Sequence, residues 1–260
     1  MKKFALVLSG GGFKGAFQVG ALQYLKENWN LLDPNSVEMK FDIVAGVSVG
    51  SLNGLLVASN KFDKLQELWA DVAKYGVNQI YESELIETSP DNGNPNPVLK
   101  LKLSLDTVLN LFPKTKKNLL FRFLFSKTAL FSSFKEDLSN FKAIADNTPL
   151  RKKLKEYAKK SDVKCIFKCG YVSLNDGQYY SKNHTDFVDD TDFVNGILAS
   201  TAMPIIWKPV PLINTNDDQG QQKHSVDGGV RNVSPLGDVI KEINKDLSND
   251  EYTIVIINCS

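Results

Sequence analysis

The sequence predicts an α/β fold, three layers with helices on both faces of a mostly parallel sheet, and three observations carry that prediction. Residues 4–8 (FALVL) are an apolar run of strand length leading into the glycine-rich loop SGGGFKG at 9–15, after which Val19, Leu22, Leu25 and Trp29 make one helical stripe. The same order recurs in FDIVAGVSVGSLNG at 41–54, where a strand-like run, a tight turn and a stripe of Leu52, Leu55, Leu56 and Ala58 follow one another. Residues 252–257 (YTIVII) are continuously apolar, the composition of a central parallel strand. Two strand-turn-helix units imply right-handed crossovers, and such sheets bind ligands beyond the carboxyl ends of their strands, where both glycine turns fall.

The first turn satisfies G-x-G-x-x-G with Gly10, Gly12 and Gly15, so a dinucleotide site has to be weighed. That site needs an acidic residue closing a second strand about 20 residues on. Asp33 instead stands before Pro34 in a loop, and Ala16 sits where a phosphate loop requires lysine. What remains is backbone N–H groups of Gly10, Gly11 and Gly12 at a helix start, with Lys14 beside them, suited to a tetrahedral oxyanion. The second turn, Gly46-Val47-Ser48-Val49-Gly50, has the form of a nucleophile elbow. Its glycines relieve crowding where the turn touches its neighbours, and Ser48 Oγ is pushed toward substrate at a helix N-terminus.

Residues 61–75 are an amphipathic scaffold helix through Leu65, Leu68, Trp69 and Val72, and 88–97 (TSPDNGNPNP) are rich enough in breakers to be a loop. Residues 99–134 interleave seven lysines and arginines with leucine and phenylalanine, the pattern of a basic, aromatic helical cap that lies on an anionic membrane or closes over the core. A helix starts near Asn147 or Thr148 as cap, with Pro149 in its first turn, and runs to Lys160. Residues 164–174 and 178–181 form a hairpin around Asn175-Asp176-Gly177. Asp186, Asp189, Asp190 and Asp192 belong to a solvated loop and helix start, and 195–203 to a close-packed helix. Residues 212–225 read as a polar loop whose spacing fails as a calcium loop, and Asp227-Gly228-Gly229 follows a short strand.

A chain of 260 residues accommodates one domain, here 1–260 with a cap insertion at about 81–141, and the strand close to its last residue suggests trimming from a longer protein. The net charge of +1 gives no electrostatic case for nucleic acid. Cys165, Cys169 and Cys259 are too few for a disulfide framework and lack the histidines of a zinc site, and the N-terminal apolar run is too short for a membrane span. Expected placement is cytoplasmic, peripheral to a membrane. No metal or other cofactor is expected.

A serine nucleophile needs a base. Ser48, Asp176 and His184 keep the residue order of the α/β-hydrolases, and His224 is the other histidine, but neither histidine is framed by glycine. Asp227 is so framed, and a carboxylate held at Ser48 Oγ takes the proton directly. The ordered set GGGFKG, GVSVG and DGG, supported by DNTPLR at 146–151 and ASTAMP at 199–204, resembles the patatin-like phospholipases, which share a catalytic core with the cytosolic phospholipase A2 group. The resemblance covers most of the chain and is weakest at 81–141; Met203 and Ile205-Ile206-Trp207 depart from the family pattern. It implies Ser48 as nucleophile, Asp227 as base of a Ser-Asp dyad, Gly10, Gly11 and Gly12 with Lys14 as oxyanion loop, and an acyl lipid or phospholipid substrate. A non-catalytic or partner-activated lipid-binding module and an esterase with a histidine base are the rival readings.

Overall fold

The computed structural model describes residues 2–83, 86–91, 94–101, 143, 145–217 and 219–259. Its elements are β1 (Lys2–Leu8), α1 (Gly15–Glu27), β2 (Ile43–Val47), α2 (Val49–Ala58), α3 (Phe62–Tyr75), β3 (Ile86–Asp91), β4 (Asn94–Leu101) and α4 (Thr148–Tyr157). They are followed by β5 (Ile166–Ser173), β6 (Tyr179–Asn183), α5 (Asp190–Ser200), β7 (Val210–Asn214), β8 (Gln221–Asp227), α6 (Leu236–Ile243) and β9 (Glu251–Ile257). The expected α/β class is observed: β1, β2, β5 and β9 are mutually parallel, and β6, β7 and β8 add antiparallel pairings to the same sheet.

Alternation along β1 assigns its two faces. Phe4, Leu6 and Leu8 join Leu22 of α1, Leu55 of α2, Leu65 of α3, Leu154 of α4 and Phe193 of α5 in one large core. Ala5 and Val7 face the other way, with Ile43, Ala45 and Val239 of α6. The layers are therefore unequal, five helices on one face and α6 on the other among the described residues.

Pairing along β5 positions the site. Gly170 pairs with Ser181 of β6 and with Val47 of β2, so β2 and β6 occupy opposite edges. Tyr171 pairs with Tyr180 of β6 and with Asp227 of β8. Since β6 fills one edge past both positions, β2 and β8 share the other and meet head-on, carboxyl end to carboxyl end. Ser48 and Asp227 are thereby neighbours despite their separation in sequence.

Several expectations are corrected. Residues 88–91 and 94–97 are not a loop: they lie in β3 and β4, where Thr88 pairs with Leu99 and Ser89 with Val98. A two-stranded ribbon has an open edge on each strand, so proline's missing N–H is tolerated there. Residues 212–225 likewise contribute to the β7–β8 hairpin, with Leu212 paired to Lys223 and Asn214 to Gln221. Residues 252–257 do lie in a parallel strand, but among the described residues β9 pairs with β1 alone and so is an edge strand, with Ile256 exposed. Asp192 is buried instead of solvated, accepting from Asn214 N at 2.9 Å, while Asp189 caps α5. At α4 neither Asn147 nor Thr148 caps with its side chain; Asp146 Oδ1 accepts from Thr148 N at 2.7 Å. The basic, aromatic stretch 99–134 lies, beyond Leu101, outside the described residues. No described helix is long and apolar enough to cross a membrane.

Candidate active site

Ser48 joins β2 to α2 with φ 56° and ψ −130°. Positive φ is strained for a residue with a Cβ, and here the surroundings enforce it. A Cβ on Gly46 would stand 2.2 Å from Gly50 O, and one on Gly50 would stand 2.2 Å from Leu8 O. Backbones of β1, β2 and α2 touch at those two points, so the turn can be no wider. Ser48 is 8% exposed and sits at the first turn of α2, where unpaired N–H groups and the helix dipole favour negative charge.

Asp227 ends β8, 5% exposed, with its carboxylate within hydrogen-bonding reach of the Ser48 hydroxyl. Asp227 Oδ1 also accepts from Gly229 N at 2.7 Å. A Cβ on Gly228 would fall 2.4 Å from Gly170 O, so the first glycine of DGG lets the chain pass tightly over β5. Burial drives the Asp227 pKa up from 3.8 to about 6, against the opposing pull of Ser48 and Gly229 N. Such a carboxylate is ionised at neutral pH and basic enough to share a proton with a hydroxyl.

Both residues hang on one short piece of chain. Ser48 N donates to Ser200 Oγ at 3.0 Å, and Asp227 N donates to Ala202 O at 2.9 Å. The end of α5 thus sets Ser48 and Asp227 against each other. Motif reading passes over Ser200, because a serine in ASTAMP carries no local sign of what it holds.

The glycine loop completes the arrangement. A Cβ on Gly10 would approach Ser48 Cβ to 3.3 Å, so the loop lies against Ser48. Gly10 N donates to Val233 O at 2.8 Å, which occupies one of the three N–H groups expected to face an oxyanion. Gly11 N and Gly12 N donate to no acceptor among the described residues. Gly12 has φ 56°, and a Cβ on Gly11 would stand 2.5 Å from Cys259 Cβ. Beneath the loop, Cys259 N donates to Ser9 Oγ at 2.7 Å and Gln18 Nε2 to Ser9 O at 2.8 Å. Lys14 is exposed at the loop's end.

The family model for patatin-like phospholipases matches residues 6–240, which span the loop, the elbow and the aspartate turn together. The chain belongs to the patatin-like phospholipase family. A solved structure, VipD from Legionella pneumophila, is similar at 15% identity and a TM-score of 0.46, over 98% of this chain and 49% of that one. The patatin-like chain therefore spans about half the length of that protein. No curated protein matches it.

In this patatin-like domain neither histidine stands at Ser48. His184 N donates to Phe167 O, level with Val44, toward the amino end of β2 and away from the elbow. His224 precedes Asp227 by three residues on β8, about 10 Å along the strand. Asp176, the third member of the histidine-based alternative, accepts from Tyr180 OH in the β5–β6 turn. Among the described residues no group of three or more His, Cys, Asp and Glu is placed to hold a metal ion.

Proposed function

We propose that the chain is a lipid acyl hydrolase of phospholipase A or lysophospholipase type, acting through a Ser48–Asp227 dyad. The observation that carries the reading is a strained serine beside a buried carboxylate. Asp227 takes the Ser48 proton while Oγ attacks the ester carbonyl carbon. Negative charge moves to the carbonyl oxygen, where Gly11 N, Gly12 N and the start of α2 receive it, with Lys14 nearby. Gly10 N donates to Val233 O and so holds the loop instead of facing the oxyanion. The tetrahedral centre collapses, and the departing alkoxide takes the proton from Asp227. Water then gives a proton to Asp227 and attacks the acyl-serine, and Ser48 leaves with that proton restored.

Labelling by a fluorophosphonate tests the dyad. Wild type and the His184→Ala and His224→Ala variants are expected to label, and Ser48→Ala to show none. Loss of labelling in a folded histidine variant would restore the histidine-based esterase, and an unlabelled wild type would favour a lipid-binding module.

The loop makes its own forecast. Gly11→Ala meets Cys259 and Gly12→Ala meets a strained φ, so either is expected to lower kcat for a soluble ester by about 100-fold or more, the size of one lost oxyanion donor. Turnover within a few-fold of wild type in both variants would remove the loop from the mechanism.

A further inference from the structure

The three segments that build the site also carry exposed apolar side chains that the hydrolytic steps do not use. Three segments supply them: Phe13 and Phe17 after β1, Met203 and Ile205 after α5, Val230 and Val233 after β8. Each is at least 40% exposed, Phe17 and Val230 well over half. The segments are bonded into one rim. Gly10 N reaches Val233 O, Trp207 N reaches Met203 O, and the Phe13 ring packs on Tyr81, which packs on Trp207. Ile205 is held at φ 76°, a β-branched residue kept strained while its side chain faces water. Nothing in core packing accounts for that.

A continuous apolar rim with a basic border marks an interaction surface. Lys14 follows Phe13, Lys208 follows Trp207 and Arg231 follows Val230, and all three are exposed. Asp146 lies close enough to Lys208 to offset it, while Lys14 and Arg231 are exposed beside the apolar residues. Aliphatic and aromatic tips within a cationic border match the acyl and phosphate levels of an anionic bilayer, not the polar face of a soluble protein.

We infer that this rim is a membrane-docking surface, seating the mouth of the site on an anionic lipid surface so that an ester reaches Ser48 without crossing bulk water. The inference rests on the lipid-hydrolase reading for its purpose but not for its test. In a Ser48→Ala background, sedimentation with phosphatidylcholine vesicles containing phosphatidylglycerol is expected to fall about tenfold or more in Phe17→Glu/Val230→Glu, because two apolar anchors become charges. Phosphatidylcholine alone is expected to bind more weakly. As a variant that leaves the rim apolar, Phe17→Trp is expected to be quenched by lipids brominated in the acyl chain. With Ser48 intact, the double Glu variant is expected to hydrolyse a soluble short-chain ester as wild type does.

Equal sedimentation of parent and double variant, or no quenching of Phe17→Trp, would overturn the docking surface. So would failure of the parent to bind vesicles while it self-associates through the rim, which would assign the surface to a second copy. Vesicle binding lost in the double variant, from a wild type that hydrolyses neither soluble ester nor lipid, would leave docking standing and defeat the catalytic reading.

Discussion

Asp227→Asn is expected to lower kcat by about a hundredfold to ten-thousandfold, the contribution of a general base, while making the protein harder to unfold at neutral pH. The two effects have one origin. Burial raises the Asp227 pKa from 3.8 to about 6, so the folded protein holds a proton there more tightly than the unfolded chain does. Stability from the protonated form is fully present below about 3.8 and lost as pH rises through about 6. The difference corresponds to roughly 3 kcal/mol at pH 7 and above. Asparagine is neutral throughout and can still accept from Gly229 N, so the variant escapes that loss. Urea unfolding of both proteins from pH 4 to pH 8 checks it: the stability gap is expected to open between about pH 4 and 6. In the same range wild-type kcat is expected to rise with pH. A variant no more stable than wild type at pH 8 would refute the burial argument even if activity were gone.

The second large effect belongs to Gly50→Ala. The added Cβ would lie 2.2 Å from Leu8 O and 2.7 Å from Ser9 O, backbone atoms of β1 and its exit that no rotamer change can move. Either β1 or α2 has to shift, and the elbow shifts with it. Destabilisation of more than about 4 kcal/mol is expected, in the range reserved for overpacking against fixed backbone. Gly20→Ala in α1 is the control: no heavy atom lies within 4 Å of its Cβ, and alanine in a helix is favoured by about 1 kcal/mol. Thermal unfolding of both variants with ester turnover decides the matter. A Gly50→Ala protein as stable and active as wild type would show that the turn can relax.

The sheet's parallel strands and both glycine turns were legible because their signals are local. An apolar run, a glycine turn and a helical stripe lie within two dozen residues, and Ser48 is read from five. The β7–β8 hairpin hid because polar residues are interleaved with Val210, Ile213 and Val226 among its buried positions. Gln222 is 1% exposed and accepts from Tyr171 OH at 2.8 Å, and Lys182, equally enclosed, pairs with Asp217, so interior positions carry amides and charges where a reader of hydropathy looks for leucine. Asp192 misled in the same way, an acid buried because Asn214 satisfies it. The edge position of β9 was out of reach for another reason: an apolar strand records that it is sheltered, not how many neighbours pair with it. Ser200 and the engaged N–H of Gly10 were invisible because their partners lie 152 and 223 residues away in sequence.

The meeting of β2 and β8 on one edge of β5 fixes the order in which the proposed dyad comes into being. A ribosome-held chain that has emerged only through α2 owns Ser48 but neither its tether nor the proposed base. Ser200 arrives 152 residues after Ser48, and Asp227 later still, as the last residue of a strand that pairs to β5 antiparallel. Until that pairing forms, the serine has no proton acceptor in the described structure. On the proposed mechanism, reactivity is thus delayed by the order of synthesis itself, and a half-made chain carries an unarmed elbow.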